Sequence, residues 1–134
     1  MKEIKHLFFT YRNGAVADTL RRYGVPHKTI FGLDVPRLAE IARGQTPSVE
    51  LDDRLWADRD VRESRLLAAY LYPPQEVDMD KAMALACDVR TQEEADMLAF
   101  RLFKRLPYAG ELLARLAADE SCGRAARALE AHLA

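Results

Sequence analysis

The feature that most constrains the fold is an apolar stripe at helical spacing in the second half of the chain. Its members are Ala95, Leu98, Ala99, Leu102 and Leu106. Because an α-helix turns once in about 3.6 residues, the stripe lies along one helix face. The residues Thr91-Gln92-Glu93-Glu94 just before it have the pattern of a capping box. The stripe therefore predicts a helix that begins after Thr91 and buries one face.

The rest of the chain repeats this pattern in short segments, separated by Gly, Pro and capping residues. We predict about nine helices, over residues 2–11, 15–23, 35–43, 49–56, 61–72, 78–88, 92–106, 111–118 and 122–133. No alternating run of β-branched residues predicts a strand. The predicted fold class is therefore all-α.

Helices of this length are too short to be stable alone, so they must bury their apolar faces against one another. This favours a HEAT-like superhelix of short antiparallel helix pairs. A compact irregular helical bundle stays open as the alternative. At 134 residues, the chain is expected to form a single domain over residues 1–134.

Charge and cysteine content limit the classes of function. The chain has 20 Lys and Arg against 21 Asp and Glu, so its net charge does not indicate a nucleic-acid partner. Cys87 and Cys122 stand far apart without a CxxC motif, which predicts buried free thiols and no metal site. We also predict no cofactor, no membrane-spanning segment and a reducing, cytoplasmic location.

Two segments carry a resemblance to a known family. FGLDVPRLAEIA at residues 31–42 and LWADRDVRESRLLAA at residues 55–69 resemble two signatures of the DNA alkylation repair family typified by AlkD. The first contains glycine, proline, leucine and isoleucine at the family's spacing. The second places Trp56 before Arg62-Glu63 and an apolar helix. The order and spacing of the two segments, more than either alone, carry the resemblance, which covers roughly residues 24–106.

The resemblance implies a superhelix of HEAT-like repeats whose concave face binds DNA. Active members of the family excise cationic alkylated purines as DNA glycosylases. A family aspartate stabilises the positive charge that grows on the deoxyribose as the glycosidic bond breaks. Aromatic rings beside that aspartate face the sugar.

Asp96 matches the family's aspartate and is the catalytic candidate. The residue one turn earlier, a tryptophan in the family, is Gln92 here. Asp96 in the first turns of a helix also fits a structural role, since a carboxylate there favours the helix dipole. Trp56, the only tryptophan, is predicted to be a core residue and not a catalytic ring.

Five basic residues are the candidates for nucleic-acid binding. Arg62 and Arg65 stand one turn apart on a face predicted to be exposed, where they suit phosphates or a solvated ion-pair network. Arg101, Lys104 and Arg105 form the densest basic cluster and follow Asp96 on the same predicted helix. A plain solvent-exposed face is the alternative for this cluster.

Three hypotheses of function follow. The first is an AlkD-like DNA alkylation repair protein that binds duplex DNA, with N-alkylpurine DNA glycosylase activity as a further possibility implied by Asp96. The second is a non-catalytic helical-repeat module that binds a protein partner, as Gln92 and the acidic residues 44–80 indicate. These residues contain nine Asp and Glu against four Lys and Arg. The third, a helical domain that binds a small ligand, has no specific support.

Overall fold

Nine α-helices form the protein in a computed structural model that describes all 134 residues. They are α1 (Lys2–Thr10), α2 (Gly14–Arg22), α3 (Val35–Arg43), α4 (Val49–Ala57), α5 (Arg62–Leu71), α6 (Met79–Cys87), α7 (Gln92–Arg101), α8 (Ala109–Ala117) and α9 (Gly123–Leu133). Three short 3₁₀ helices lie at Pro74–Glu76, Phe103–Arg105 and Glu120–Cys122. No strand forms beyond an isolated bridge between Thr29 and Val61. The all-α prediction is thus confirmed, and the superhelical HEAT-like arrangement stays a prediction.

Side-chain caps set where several helices begin. The carboxylate of Asp34 accepts a hydrogen bond from the backbone N–H of Arg37, which starts α3. Ser48 and Asp78 cap α4 and α6 in the same way. These caps satisfy backbone donors that have no partner inside the helix. The predicted starts of α3 and α4 are confirmed, and α6 begins one residue later than predicted, because Asp78 caps the helix instead of belonging to it.

The α-helix that carries the apolar stripe ends earlier than predicted. α7 stops at Arg101, and residues 103–105 continue as a 3₁₀ helix, although the stripe predicted an α-helix to Leu106. Leu102 and Leu106 are nevertheless buried. A 3₁₀ turn is a common way for an α-helix to end, and here it keeps both leucines in the core.

The chain divides into two compact units, Met1–Leu71 and Tyr72–Ala134. In the first unit, α5 packs against α3 and α4. In the second unit, α9 packs against α7 and α8, and α6 packs against α8. The single-domain expectation stays a prediction. None of the helices combines the length and the apolar character that a membrane crossing requires.

Helix α5 is the centre of the first unit, because every residue from Arg62 to Ala69 is buried. Its Glu63 carboxylate accepts hydrogen bonds from three consecutive backbone N–H groups, at 2.9 Å from Phe31, 3.0 Å from Gly32 and 3.3 Å from Leu33. Arg62 donates to the same carboxylate at 2.6 Å and to the Leu33 carbonyl at 3.0 Å. We name this arrangement the Glu63 clamp. It joins the two family-like sequence segments physically.

Candidate nucleic-acid interface

The start of α7 determines which of its residues face solvent. The Thr91 hydroxyl accepts from the Glu94 N–H at 3.1 Å. The Glu94 carboxylate accepts in turn from the Arg90 N–H at 2.9 Å. This cap confirms the predicted start of the helix, with the Glu94 side chain reaching one residue further back than in the usual capping box. Ala95, Leu98 and Ala99 are then fully buried.

The flank of α7 beside this buried stripe carries the candidate catalytic residue. Asp96 is exposed, and its carboxylate accepts a hydrogen bond from the Gln92 side-chain amide at 3.0 Å. The two residues stand one helical turn apart, so their side chains meet on one face. Gln92 thus occupies the tryptophan position of the family with a hydrogen-bond donor instead of a ring.

An aromatic ring does stand next to Asp96, one turn further along the helix. The Phe100 side chain is 46% exposed although it is large and apolar. The Lys104 ammonium nitrogen lies 4.1 Å from the centroid of its ring. The ring of His132, from the last turn of α9, lies 5.7 Å away, centroid to centroid. We call the surface formed by Gln92, Asp96, Phe100 and Lys104 the Asp96 face.

The predicted basic cluster lies at the end of this face. Arg101 and Lys104 are half-buried, and Arg105 is exposed. Lys104 and Arg105 belong to the 3₁₀ helix that follows α7. The fold thus brings a carboxylate, an aromatic ring and the Lys104 ammonium group together on one surface. No contact with a nucleic acid follows from this placement alone.

The prediction that Arg62 and Arg65 lie on an exposed face is wrong. Arg62 is 5% exposed and Arg65 is not exposed at all. Arg62 is held by the Glu63 clamp, and Arg65 donates to the carbonyl of Trp56 at 2.9 Å. Buried guanidinium groups with these partners are not available for phosphates in solution. The expected burial of Trp56 is confirmed, with 7% of it exposed.

The prediction of two free thiols is also wrong, because Cys87 and Cys122 form a disulfide. Their Cα atoms lie 4.6 Å apart, although 35 residues separate them in sequence. Cys87 ends α6, and Cys122 directly precedes α9. The Asp119 carboxylate lies close enough that its oxygen and both sulfur atoms fall within 4.8 Å of one another. No local sequence motif predicts this cluster, because its residues come together only through the packing of the second unit.

A surface cavity lies elsewhere, in the first unit. Its lining comes from α1, α3 and the residues that follow them: Leu7, Tyr11, Glu40, Ile41, Gly44 and Gln45. None of the candidate catalytic or nucleic-acid-binding residues lines it. The cavity therefore adds nothing to the chemistry of the Asp96 face.

One tyrosine of the second unit has an altered acidity. Burial, together with the negative charge of Asp78, raises the pKa of Tyr108 above its ordinary value of 10.0. Its hydroxyl donates to the carbonyl of Val77. The Tyr108 hydroxyl therefore keeps its proton to a higher pH than a free phenol, and it serves as a hydrogen-bond donor to the backbone.

Comparisons with known proteins agree with the resemblance noted in the sequence. The family model described as DNA alkylation repair enzyme matches residues 4–131. The match spans both family-like segments and the Asp96 face. Searches of curated proteins and of solved structures found no significant match.

Proposed function

Because the chain belongs to the DNA alkylation repair enzyme family, we propose that it binds duplex DNA through the Asp96 face and acts there on alkylated purines. Membership of the family supports a role related to alkylation repair. One observation carries the proposal of DNA binding and catalysis. On α7, the exposed Asp96 stands one turn from the exposed Phe100. The concave HEAT-like surface that the resemblance implies is part of this proposal.

In the proposed reaction, the bond between the alkylated base and the deoxyribose breaks first. The base leaves with the electron pair of that bond, which neutralises its positive charge, and the sugar becomes an oxocarbenium ion. The Asp96 carboxylate stabilises this cation electrostatically. Water then adds to the sugar carbon and releases a proton, which leaves an abasic site.

Phe100 is the candidate for the ring that Gln92 does not supply. The face of an aromatic ring attracts a cation through its quadrupole, and the Lys104 ammonium group already lies 4.1 Å from the Phe100 centroid. The same ring would attract a cationic base or sugar next to Asp96. In this arrangement Gln92 orients the carboxylate through its 3.0 Å hydrogen bond.

Base release from duplex DNA tests the catalytic part of the proposal. The substrates carry N7-methylguanine or N3-methyladenine, and the variants are Asp96→Asn and Phe100→Ala. We expect Asp96→Asn to slow release by about 100-fold or more, the range seen when one electrostatic group of an active site is removed. Asp80→Asn, which changes an exposed carboxylate on α6, is the matched control. No release by the wild-type protein would overturn the glycosylase activity.

A protein partner is the second candidate function, and charge favours it. Residues 72–134, which contain the Asp96 face, have eleven Asp and Glu against eight Lys and Arg. A net negative unit with an exposed phenylalanine fits a protein surface better than it fits phosphates. DNA binding whose affinity does not fall with added salt, or no DNA binding at all, would favour this second function.

We also propose a cytoplasmic location for the protein. A reducing cytoplasm keeps most cysteine pairs as thiols. The Cys87–Cys122 pair would then exist as a dithiol for much of the time.

A further inference from the structure

The Cys87–Cys122 disulfide lies next to a carboxylate that is already held in place. One carboxylate oxygen of Asp119 accepts from the Ser121 N–H at 3.0 Å and from the Ser121 hydroxyl at 2.7 Å. Carboxylates that bind metals usually have such supporting hydrogen bonds. The Asp119 oxygen and the two sulfur atoms lie within 4.8 Å of one another.

We propose that Cys87, Asp119 and Cys122 form a zinc site when the disulfide is reduced. Thiolate sulfur and carboxylate oxygen are both zinc ligands, at about 2.3 Å and about 2.1 Å. Two thiolates on one tetrahedral zinc ion lie about 3.8 Å apart, so the pair must open by about 2 Å from its disulfide separation. Water would complete the tetrahedral shell as the fourth ligand.

The N-terminal end of α9 favours an ionised thiol at Cys122, whereas Cys87, at the C-terminal end of α6, has no such support. Cys122 directly precedes the N-terminal end of the eleven-residue helix α9. The partial positive charge at that end stabilises a thiolate. Cys122 is also 1% exposed, so a metal bound there would be shielded from water on the side of the core.

Reduction of the disulfide is followed by binding of the metal. A dithiol reductant supplies two electrons and two protons, the S–S bond breaks to give two thiols, and the reductant becomes a disulfide. Zn²⁺ then displaces the two thiol protons and binds the thiolates and Asp119. Oxidation of the thiolates by a disulfide-containing oxidant reverses the sequence and releases the ion.

This site does not rest on the proposed function, because it lies at the end of α6 and in the residues between α8 and α9, apart from the Asp96 face. It also revises the sequence-based expectation of no metal site. That expectation relied on the absence of a CxxC motif. The fold supplies the proximity that the sequence lacks.

Zinc content under reducing conditions tests the proposal. The full chain is reduced with a phosphine, loaded with Zn²⁺ and dialysed, and bound zinc is measured by elemental analysis. We expect one zinc ion per reduced chain and none in the oxidised protein. Cys87→Ser and Cys122→Ser should lose the ion, and Asp119→Asn should weaken binding about tenfold or more. Glu120→Gln, an exposed neighbour outside the cluster, is the matched control and should bind zinc normally.

A second measurement covers the case in which a cysteine variant fails to fold. Co²⁺ replaces zinc in the reduced wild-type protein, where a thiolate-to-cobalt charge-transfer band and the intense visible bands of tetrahedral cobalt are expected. Reduced wild-type protein that shows no cobalt band and holds no zinc would overturn the site. So would zinc binding that Asp119→Asn leaves unchanged, or a pair that the reductant cannot open in the folded protein.

Discussion

Arg65 lies over the ring of Trp56, with its guanidinium carbon 3.5 Å from the ring centroid. The same guanidinium group donates to the Trp56 carbonyl at 2.9 Å. One arginine thereby stacks on the side chain and caps the backbone of the same residue, which ties α5 to the end of α4. A cation–π contact gains strength when water is excluded from it, and Arg65 is fully buried.

Removing this arginine should destabilise the protein strongly. Arg65→Ala leaves a cavity next to Trp56 and removes the donor to a buried carbonyl, so we expect the free energy of unfolding to fall by about 3 kcal/mol or more. Chemical denaturation followed by circular dichroism measures the change. Arg105→Ala, which truncates an exposed arginine, should change stability by less than about 0.5 kcal/mol. Equal effects of the two variants would contradict the stacked arrangement.

The Glu63 clamp predicts a large effect from a nearly isosteric change. In Glu63→Gln one acceptor oxygen becomes an N–H₂ group that faces backbone donors. Arg62 also keeps its buried charge without the carboxylate. Breaking a buried ion pair in this way costs about 3 kcal/mol or more. Thermal unfolding measures the loss, and Glu40→Gln, which breaks the exposed pair with Arg37, is the control that should have almost no effect.

Gly32 and Gly24 allow two causes of destabilisation to be separated, namely backbone strain at a positive φ and steric overlap of an added Cβ. It has a φ of +86°, and a Cβ added there would lie 2.3 Å from the Asn13 carbonyl oxygen. Gly24 has a φ of +89° with nothing within 4 Å of such a Cβ. We expect Gly24→Ala to cost about 1 kcal/mol from backbone strain alone, and Gly32→Ala to cost clearly more. Denaturant midpoints of the two variants measure the difference, and similar midpoints would show that the approach of Asn13 can relax.

The raised pKa of Tyr108 predicts a loss of stability at high pH. The unfolded chain releases the phenol proton near pH 10.0, whereas the folded protein keeps it to higher pH. The contribution of this group is therefore complete below pH 10.0 and disappears as the pH rises through the folded-state pKa. Urea titrations across this range measure the slope. Tyr108→Phe should make the pH dependence shallower, and a slope identical to the wild type would contradict the role of this tyrosine.

The salt dependence of DNA affinity tests which residues of the basic cluster contact phosphates. If Lys104 and Arg105 each contact a phosphate, each alanine variant should lower the slope of log affinity against log salt by about 0.9. Fluorescence anisotropy with a labelled duplex measures the slope. Arg115→Ala removes an exposed arginine of α8 that pairs with Glu111, and it should leave the slope unchanged. An unchanged slope for Lys104→Ala and Arg105→Ala would remove both from the interface.

The sequence by itself determined what depends on neighbours along the chain. The caps at Asp34, Ser48, Asp78 and Thr91 could be predicted because each bonds to an N–H three residues on. The all-α fold class followed from the helical spacing of apolar residues, and the family resemblance followed from the two ordered segments. Asp96 could be placed on the flank of the apolar stripe of α7 for the same local reason.

Only the tertiary structure decided how distant residues meet. Glu63 binds the backbone at residues 31–33, about thirty positions earlier in the chain, and this contact buries the Arg62 that local charge pattern had placed in solvent. Cys87 meets Cys122 across 35 residues. Helical periodicity shows which face of a helix is apolar, but a charged residue becomes buried only when another part of the chain supplies its partners. That is why the sequence identified the segments at residues 31–42 and 55–69, and why only the fold showed that the Glu63 clamp joins them.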